Sequence, residues 1–229
     1  SSAVDLAPAA AEEAKYGSLE LRGPSFVLVQ VDSQRWTPMP TKATSLTVGA
    51  HQVQTLSGIK KVSIHEGKVD ALELQASPIE QAAHDGIELY KKKELDKSLR
   101  LLERAYSGCE RQRGKLSKPC GSIMAEVTYY KALVLTGQER PDAAATEYQR
   151  FIDSDAKGPN LDPLRGPAKS ALDKLSAKLG LVVFKHMTKK GCWEEKQFVM
   201  PGNPTFVLAG EERSIRIRAR QTVNLGECP

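Results

Sequence analysis

The stretch Ser77-Pro78-Ile79-Glu80 marks the point where this 229-residue sequence changes from two-residue alternation to a helical pattern. A serine accepts hydrogen bonds from the first amides of a helix, proline fits the first helical position, and a glutamate three residues after the serine can close a capping box. Apolar residues then recur at spacings of three and four, which predicts an amphipathic helix. They are Ile79, Ala82, Ala83, Gly86, Leu89 and Tyr90. A helical segment is therefore predicted from residue 77, and it continues to Gly180.

A second apolar stripe follows the polar turn at residues 91–94. It consists of Leu95, Leu99, Leu102, Ala105 and Tyr106. So short a connection favours antiparallel packing of the two helices.

The spacing of small and large residues in this helix pair resembles that of a tetratricopeptide repeat. The matching positions are Gly86, Leu89, Leu95, Ser98, Leu102 and Ala105. A looser second copy runs through Tyr129, Ala132, Leu133, Gly137, Ala144, Tyr148 and Phe151. The helix that ends at Gly180 resembles the terminal cap that such arrays need. The resemblance implies a helical surface that holds a partner protein, and a plain helical bundle is the alternative.

Before the helical segment, apolar residues alternate with polar ones, as in strands that are buried on one face. The first are Leu19 and Leu21, followed by Val27, Val29 and Val31. A closing hairpin is predicted around Glu66-Gly67-Lys68, and the frequent turns favour a small antiparallel sandwich. The pattern resembles the PEGA domain, a β-sandwich of bacterial and archaeal envelope and surface proteins. The matching stretches are Gly17-x-Leu19-x-Leu21, Val29-Gln30-Val31-Asp32, Thr37-Pro38 and Leu46-x-x-Gly49-x-His51-x-Val53.

Strand patterns return after Gly180 and end in the run at residues 214–220. Alternation along a single strand there would place Arg216, Arg218 and Arg220 on one face. Such a row is a candidate contact for an acidic protein or an anionic polymer, and a solvated strand face is the alternative.

The predicted fold class is α+β, with antiparallel β-sandwich-like domains flanking a central antiparallel helical, tetratricopeptide-like segment. We expect a disordered tether at residues 1–15, a PEGA-like β domain at 16–76, the helical domain at 77–180 and a small disulfide-closed β domain at 181–229. The strands of the last region could alternatively join the N-terminal sheet.

The four cysteines lack the spacing of a metal site, because there is no Cys-x-x-Cys pair and no histidine at a companion interval. Disulfides Cys109–Cys120 and Cys192–Cys228 are the predicted pairing, with buried free thiols as the alternative. Disulfides would place the protein in an oxidising compartment, such as a bacterial periplasm or cell surface.

The segment between the two predicted cysteine partners is rich in positive charge. It contains Arg111, Arg113, Lys115 and Lys118, which makes it a candidate contact site for an acidic partner. A disulfide across it would limit the entropy lost on binding. An ordinary solvated loop is the alternative.

The sequence contains no recognisable catalytic motif, and no cofactor or metal site is predicted. His51 and His65 could form a metal pair, but single histidines on strands are more often structural. The net charge of +5 is too evenly spread to predict nucleic-acid binding, and no apolar run is long enough to span a bilayer.

These features predict a non-enzymatic scaffold or adaptor that binds a partner protein in the bacterial cell envelope, for example as an accessory subunit of a secretion, adhesion or motility machine. The alternative is a glycan- or peptidoglycan-binding envelope module, in which Trp36, Trp193 or the arginine row contacts an anionic cell-wall polymer.

Overall fold

The computed structural model of the chain describes residues 15–112, 117–188, 191–208 and 211–226. The fold is α+β, as predicted, and the helices form one continuous part of the sequence with strands before and after it. The chain divides into two compact units, residues 1–77 and 78–229. Of the predicted tether at residues 1–15, only Lys15 is described, and its carbonyl oxygen accepts a hydrogen bond from the Val48 amide at 3.0 Å.

The described residues of the first unit form seven strands in two sheets. They are β1 (Tyr16–Arg22), β2 (Leu28–Val31), β3 (Thr37–Pro38), β4 (Thr41–Thr47), β5 (Gly49–Thr55), β6 (Gly58–Ile64) and β7 (Val69–Glu73). The strand order is β4-β1-β7 in one sheet and β3-β2-β5-β6 in the other. Buried residues of both sheets share one core, which includes Leu19, Leu21, Val29, Val53 and Ile64. The alternating residues of the sequence therefore face the interior of a sandwich.

The last strand of the first unit differs from the sequence prediction. Instead of closing a hairpin with β6, β7 lies beside β1 in the other sheet and runs parallel to it. The Leu74 amide continues this pairing by donating to the Arg22 carbonyl oxygen at 2.9 Å. The crossing brings Leu72 and Leu74 against the core that contains Leu19 and Leu21. Burial of these two leucines therefore accounts for the departure from a local hairpin.

The described residues of the second unit contain five helices and five strands. The helices are α1 (Pro78–Lys91), α2 (Leu95–Arg111), α3 (Ser117–Gly137), α4 (Pro141–Asp153) and α5 (Asp162–Ser176), and the strands are β8 (Gly180–Thr188), β9 (Gly191–Val199), β10 (Thr205–Leu208), β11 (Glu211–Ser214) and β12 (Thr222–Leu225). Each helix packs against the next one in the sequence, and α1 also contacts α3. The first helix begins at Pro78, as the Ser77-Pro78 signal predicts.

Small residues set the close approach of α1 and α2. A Cβ atom on Gly86 would lie 2.8 Å from a terminal carbon of Leu102 and 3.2 Å from the Leu102 backbone nitrogen. The Ser98 hydroxyl donates to the Gly86 carbonyl oxygen at 2.7 Å and is fully buried. The glycine and serine at these positions therefore let the two backbones pack closely and satisfy a buried carbonyl.

The C-terminal strands belong to the second unit rather than forming the separate domain expected at residues 181–229. Strands β12, β8 and β9 form one sheet, and β10 pairs with β11. Phe198 of β9 is buried in the same core as Tyr148 and Phe151 of α4. The Phe198 amide donates to the Thr146 hydroxyl at 2.9 Å, and Lys196 pairs with Asp153 at 3.0 Å. The strands also have a small core of their own, formed by Val182, Val199, Phe206 and Ile217, and packing on α4 adds to what so short a segment can bury.

None of the helices in the described ranges is long and apolar enough to cross a membrane.

Candidate functional site

A cleft in the second unit has a volume of about 560 Å³ and is lined by helices α2, α3 and α4 and by the connection between α4 and α5. Its floor includes Tyr106 of α2 and Met124, Ala125 and Thr128 of α3. The packing of α2 against α3 brings these four residues together. Tyr106, Met124 and Ala125 make the floor largely apolar, and the buried Thr128 adds one polar group.

Three cationic side chains line the same cleft. Lys118 lies in the first turn of α3, Arg150 near the end of α4, and Lys157 in the connection that follows α4. All three are exposed, and the one carboxylate among the lining residues belongs to Asp155. Neither lysine forms an ion pair with a residue in the described ranges. The cleft, named the basic cleft below, therefore has an excess of positive charge.

An ion cluster around the buried Glu147 and Lys131 lies between α3 and α4 beside the basic cleft. Oxygen Oε1 of Glu147 accepts from Lys131 at 3.1 Å and from Arg150 at 2.8 Å. The Lys131 ammonium also lies 5.1 Å from the centre of the Tyr106 ring, a cation–π distance. The second oxygen of Glu147 is buried and has no partner in the described part of the chain. One carboxylate thus serves two cations, so Arg150 is only partly neutralised.

The predicted basic loop is partly helical in the structure. Arg111 is the exposed last residue of α2, whereas Lys118 belongs to α3 because that helix begins at Ser117. Arg113 and Lys115 lie outside the described residues. Of the two loop cations that the structure describes, Lys118 lines the basic cleft and Arg111 does not. Arg150 and Lys157 were not predicted as site residues, because no spacing rule relates Lys118 to side chains 32 and 39 residues later in the sequence.

The predicted Cys109–Cys120 disulfide is not formed, since both residues are buried free thiols. The two side chains are hydrogen-bonded to each other across the end of α2 and the start of α3. Burial raises the pKa of both thiols, most strongly that of Cys109, so both stay protonated and unreactive at neutral pH. Cys192 is not a free thiol, and its predicted partner, Cys228, lies outside the described residues, so that pairing stays a prediction.

The arginine row predicted at residues 214–220 is not a single strand. Strand β11 ends at Ser214, and Ile217 forms an isolated bridge with Gly202. Arg216 and Arg218 are exposed, but Arg220 has a φ of 62° and turns back towards the end of α5. Its Nε donates to the Ala177 carbonyl oxygen at 3.2 Å. Arg220 therefore caps a helix C-terminus, where a cation is favoured, instead of extending a row.

An aromatic ladder runs from the core of the C-terminal sheet to its surface. Phe206 contacts Phe184, Phe184 stacks on His186, and His186 lies 5.2 Å from Trp193, measured between ring centres. Trp193 is 53% exposed. In contrast, Trp36 in the first unit is half-buried. The exposed indole is thus the better of the two tryptophans for stacking against a ligand.

The histidines of the first unit have structural partners. Nδ1 of His51 is hydrogen-bonded to Asp32, and Nδ1 of His65 lies 3.0 Å from Asp70. In the ranges that the structure describes, no group of three histidine, cysteine or acidic side chains is arranged to hold a metal ion.

Comparisons with known proteins found no match: no protein-family model, no curated protein and no solved structure is significantly similar to this chain.

Proposed function

We propose that this protein is a non-enzymatic scaffold or adaptor that binds a partner protein in the bacterial cell envelope. The observation that supports it best is the basic cleft, in which cations from three separate elements converge over an apolar floor. Such a combination of an apolar floor and a charged rim is typical of protein recognition sites.

The partner surface would be acidic, because charge complementarity speeds association and selects against wrong partners. Arg111, the exposed last residue of α2, adds a further positive charge to the second unit. The tetratricopeptide-like spacing in the helices and the PEGA-like spacing in the first unit support an envelope scaffold. The disulfide-bonded state of Cys192 supports an oxidising compartment. An accessory role in a secretion, adhesion or motility machine is the more specific form of the same proposal.

The test is crosslinking and co-purification from the native cell envelope. The intact protein is compared with the variant Lys118→Glu/Lys157→Glu and with Lys169→Glu/Lys174→Glu, which makes the same change in net charge on the exposed surface of α5. Defined protein partners that are recovered with the intact protein and the α5 variant, and lost with the cleft variant, support the proposal. Recovery of no protein partner with any of the three contradicts it.

The second candidate function is binding of a glycan or peptidoglycan, which the exposed Trp193 of the aromatic ladder favours. Its test is sedimentation of the protein with purified cell-wall polymer. Retention of the intact protein and loss of retention in Trp193→Ala support it, whereas retention that is unchanged in Trp193→Ala contradicts a role for the ladder.

A further inference from the structure

We propose that the basic cleft binds a short extended segment of the partner in which carboxylates flank one or two apolar side chains. This inference rests on the function proposed above and names the chemistry that its site would recognise. The structure supplies two independent constraints, the charge of the rim and the apolar character of the floor.

The charge of the rim requires carboxylates on the ligand. Lys118 and Lys157 form no ion pair with a described residue, and Arg150 shares one oxygen of Glu147 with Lys131. Three cations at separate points favour several carboxylates along a chain over a single anion. Each carboxylate would accept a charge-assisted hydrogen bond from a lysine or arginine, which is stronger than a hydrogen bond between neutral groups. Asp155, also at the cleft, disfavours anions that approach its own side of the rim.

The floor requires an apolar side chain between those carboxylates. Tyr106, Met124 and Ala125 line the cleft, and their side chains are mainly or wholly apolar. A methionine adapts its shape to different apolar partners because its side chain is unbranched and flexible. A polymer of phosphates or uronic acids would satisfy the rim and leave this surface in contact with water. The floor thus distinguishes a peptide segment from an anionic polymer.

The size of the cleft limits the segment. A volume of about 560 Å³ lies within the range of roughly 300–1,000 Å³ that is usual for pockets enclosing a small ligand. Only a few consecutive residues of a partner fit such a space, so the ligand is a linear segment instead of a large folded surface.

The experiment is fluorescence anisotropy of the full-length protein with labelled nine-residue peptides. One peptide alternates aspartate and leucine, a second has glycine for leucine, and a third has lysine for aspartate. We expect the aspartate–leucine peptide to bind at least tenfold more tightly than either of the others. The variant Lys118→Glu/Lys157→Glu should lose at least tenfold in affinity for it, and Lys169→Glu/Lys174→Glu less than twofold.

A matched test of the floor is Met124→Gln, which keeps the length of the side chain and makes it polar. We expect Met124→Gln to lower the affinity for the aspartate–leucine peptide at least threefold and to leave the weak affinity for the aspartate–glycine peptide unchanged. Circular dichroism of each variant verifies that the helices remain folded.

Four outcomes overturn the inference. Equal affinity for the aspartate–leucine and aspartate–glycine peptides would mean that the floor plays no part. If inorganic polyphosphate displaces the labelled peptide as strongly as unlabelled aspartate–leucine peptide does, the cleft binds an anionic polymer. Unchanged peptide binding in the cleft variant, or no binding of any peptide, would remove the cleft from recognition altogether.

Failure here is distinguishable from failure of the adaptor function. If envelope crosslinking recovers the same protein partners with the cleft variant as with the intact protein, the protein is an adaptor that uses another surface. If peptides bind the cleft as expected and no partner protein is recovered from the envelope, the adaptor proposal fails and the cleft chemistry stands.

Discussion

His51 on β5 and Asp32, which follows β2, are hydrogen-bonded across the second sheet of the sandwich through Nδ1 of the imidazole. The other ring nitrogen of His51 lies 2.7 Å from the Thr47 carbonyl oxygen, and the Gln52 amide donates to the same aspartate at 2.8 Å. An imidazole satisfies an acceptor at each nitrogen only when both nitrogens are protonated. The hydrogen bond to Asp32, and next the one to Thr47, therefore raises the pKa of His51.

This pair predicts that the first unit loses stability as the pH rises above neutrality. A histidine whose pKa is raised in the folded state stabilises it fully below the unfolded value of about 6.5, and the stabilisation is lost as the pH passes through the raised pKa. Although burial opposes it, hydrogen bonds from Gln52 and His51 lower the pKa of Asp32, so its contribution is lost in acid, below a pH of about 4. Guanidinium unfolding between pH 4 and 9, followed by Trp36 fluorescence in a Trp193→Phe background, measures the slope.

The variant His51→Gln should flatten the decline above neutral pH. His65→Gln is the matched control, because His65 also contacts an aspartate but is exposed. The free energy of unfolding of this variant should decline above neutral pH as steeply as that of the parent protein. A decline that survives unchanged in His51→Gln would show that another group is responsible.

A methyl group at Gly86 should destabilise the second unit, because its Cβ would meet Leu102 at 2.8 Å. We expect Gly86→Ala to lower the free energy of unfolding by about 1–3 kcal/mol, the usual cost of overpacking. Gly121→Ala on α3 is the control, since no atom lies within 4 Å of the position that its methyl group would take, and helix propensity favours it by about 0.5–1 kcal/mol. Urea unfolding followed by Trp193 fluorescence in a Trp36→Phe background measures both. Equal changes in the free energy of unfolding for the two substitutions would contradict the close approach of α1 and α2 at Gly86.

Breaking the buried ion cluster should cost more than replacing it. Glu147→Leu leaves the buried Lys131 ammonium without its carboxylate and is expected to lower the free energy of unfolding by about 3 kcal/mol. In Lys131→Met/Glu147→Leu no buried charge is left unpaired, so most of the loss should be recovered. Urea unfolding of the wild type, both single variants and the double variant gives the coupling energy. Additive losses would indicate that the two side chains act independently.

The hydrogen-bonded thiols of Cys109 and Cys120 should be convertible to a disulfide that raises the free energy of unfolding of the second unit. Glutathione disulfide would accept two electrons and two protons from Cys109 and Cys120, forming their disulfide and two molecules of glutathione. The bridge would stabilise the second unit by about 3 kcal/mol in the chain-entropy model. Oxidation should be slow in the native protein, because burial raises the pKa of both thiols, and faster in mild denaturant. Mass spectrometry and urea unfolding measure both effects, with Cys109→Ser/Cys120→Ser as the control. Rapid oxidation of the native protein would contradict the buried geometry.

Local sequence signals predicted the parts of the fold that depend on local chemistry. The Ser77-Pro78 signal predicted the start of α1, and alternation predicted the burial of Leu19 and Leu21, because capping and periodicity act within a few residues. The predicted hairpin of β6 with β7 was wrong: the turn at residues 66–68 favours it locally, but burial in the shared core selects the pairing of β7 with β1.

The site was less predictable than the fold. Lys118 was a sequence candidate for partner binding, and the structure places it at the basic cleft. Arg150 and Lys157 reach the same cleft through the packing of α4 on α3, which no periodicity encodes. Arg220 was predicted to extend a strand, but its positive φ and its bond to the Ala177 carbonyl oxygen depend on where α5 ends. The local sequence thus identifies the cationic side chains, but tertiary packing determines which of them line the cleft and which contact another part of the chain.

The parallel pairing of β1 with β7 also governs how the first unit would respond to tension. Its five paired positions run from Ser18 with Val69 to Arg22 with Glu73. If the chain is pulled from residue 15 and from residue 77, the forces point in opposite directions along two neighbouring strands. The hydrogen bonds between them are then loaded in shear and must break together, whereas a hairpin would open one bond at a time. The pairing of its first and last strands therefore makes the sandwich resistant to stretching along the chain.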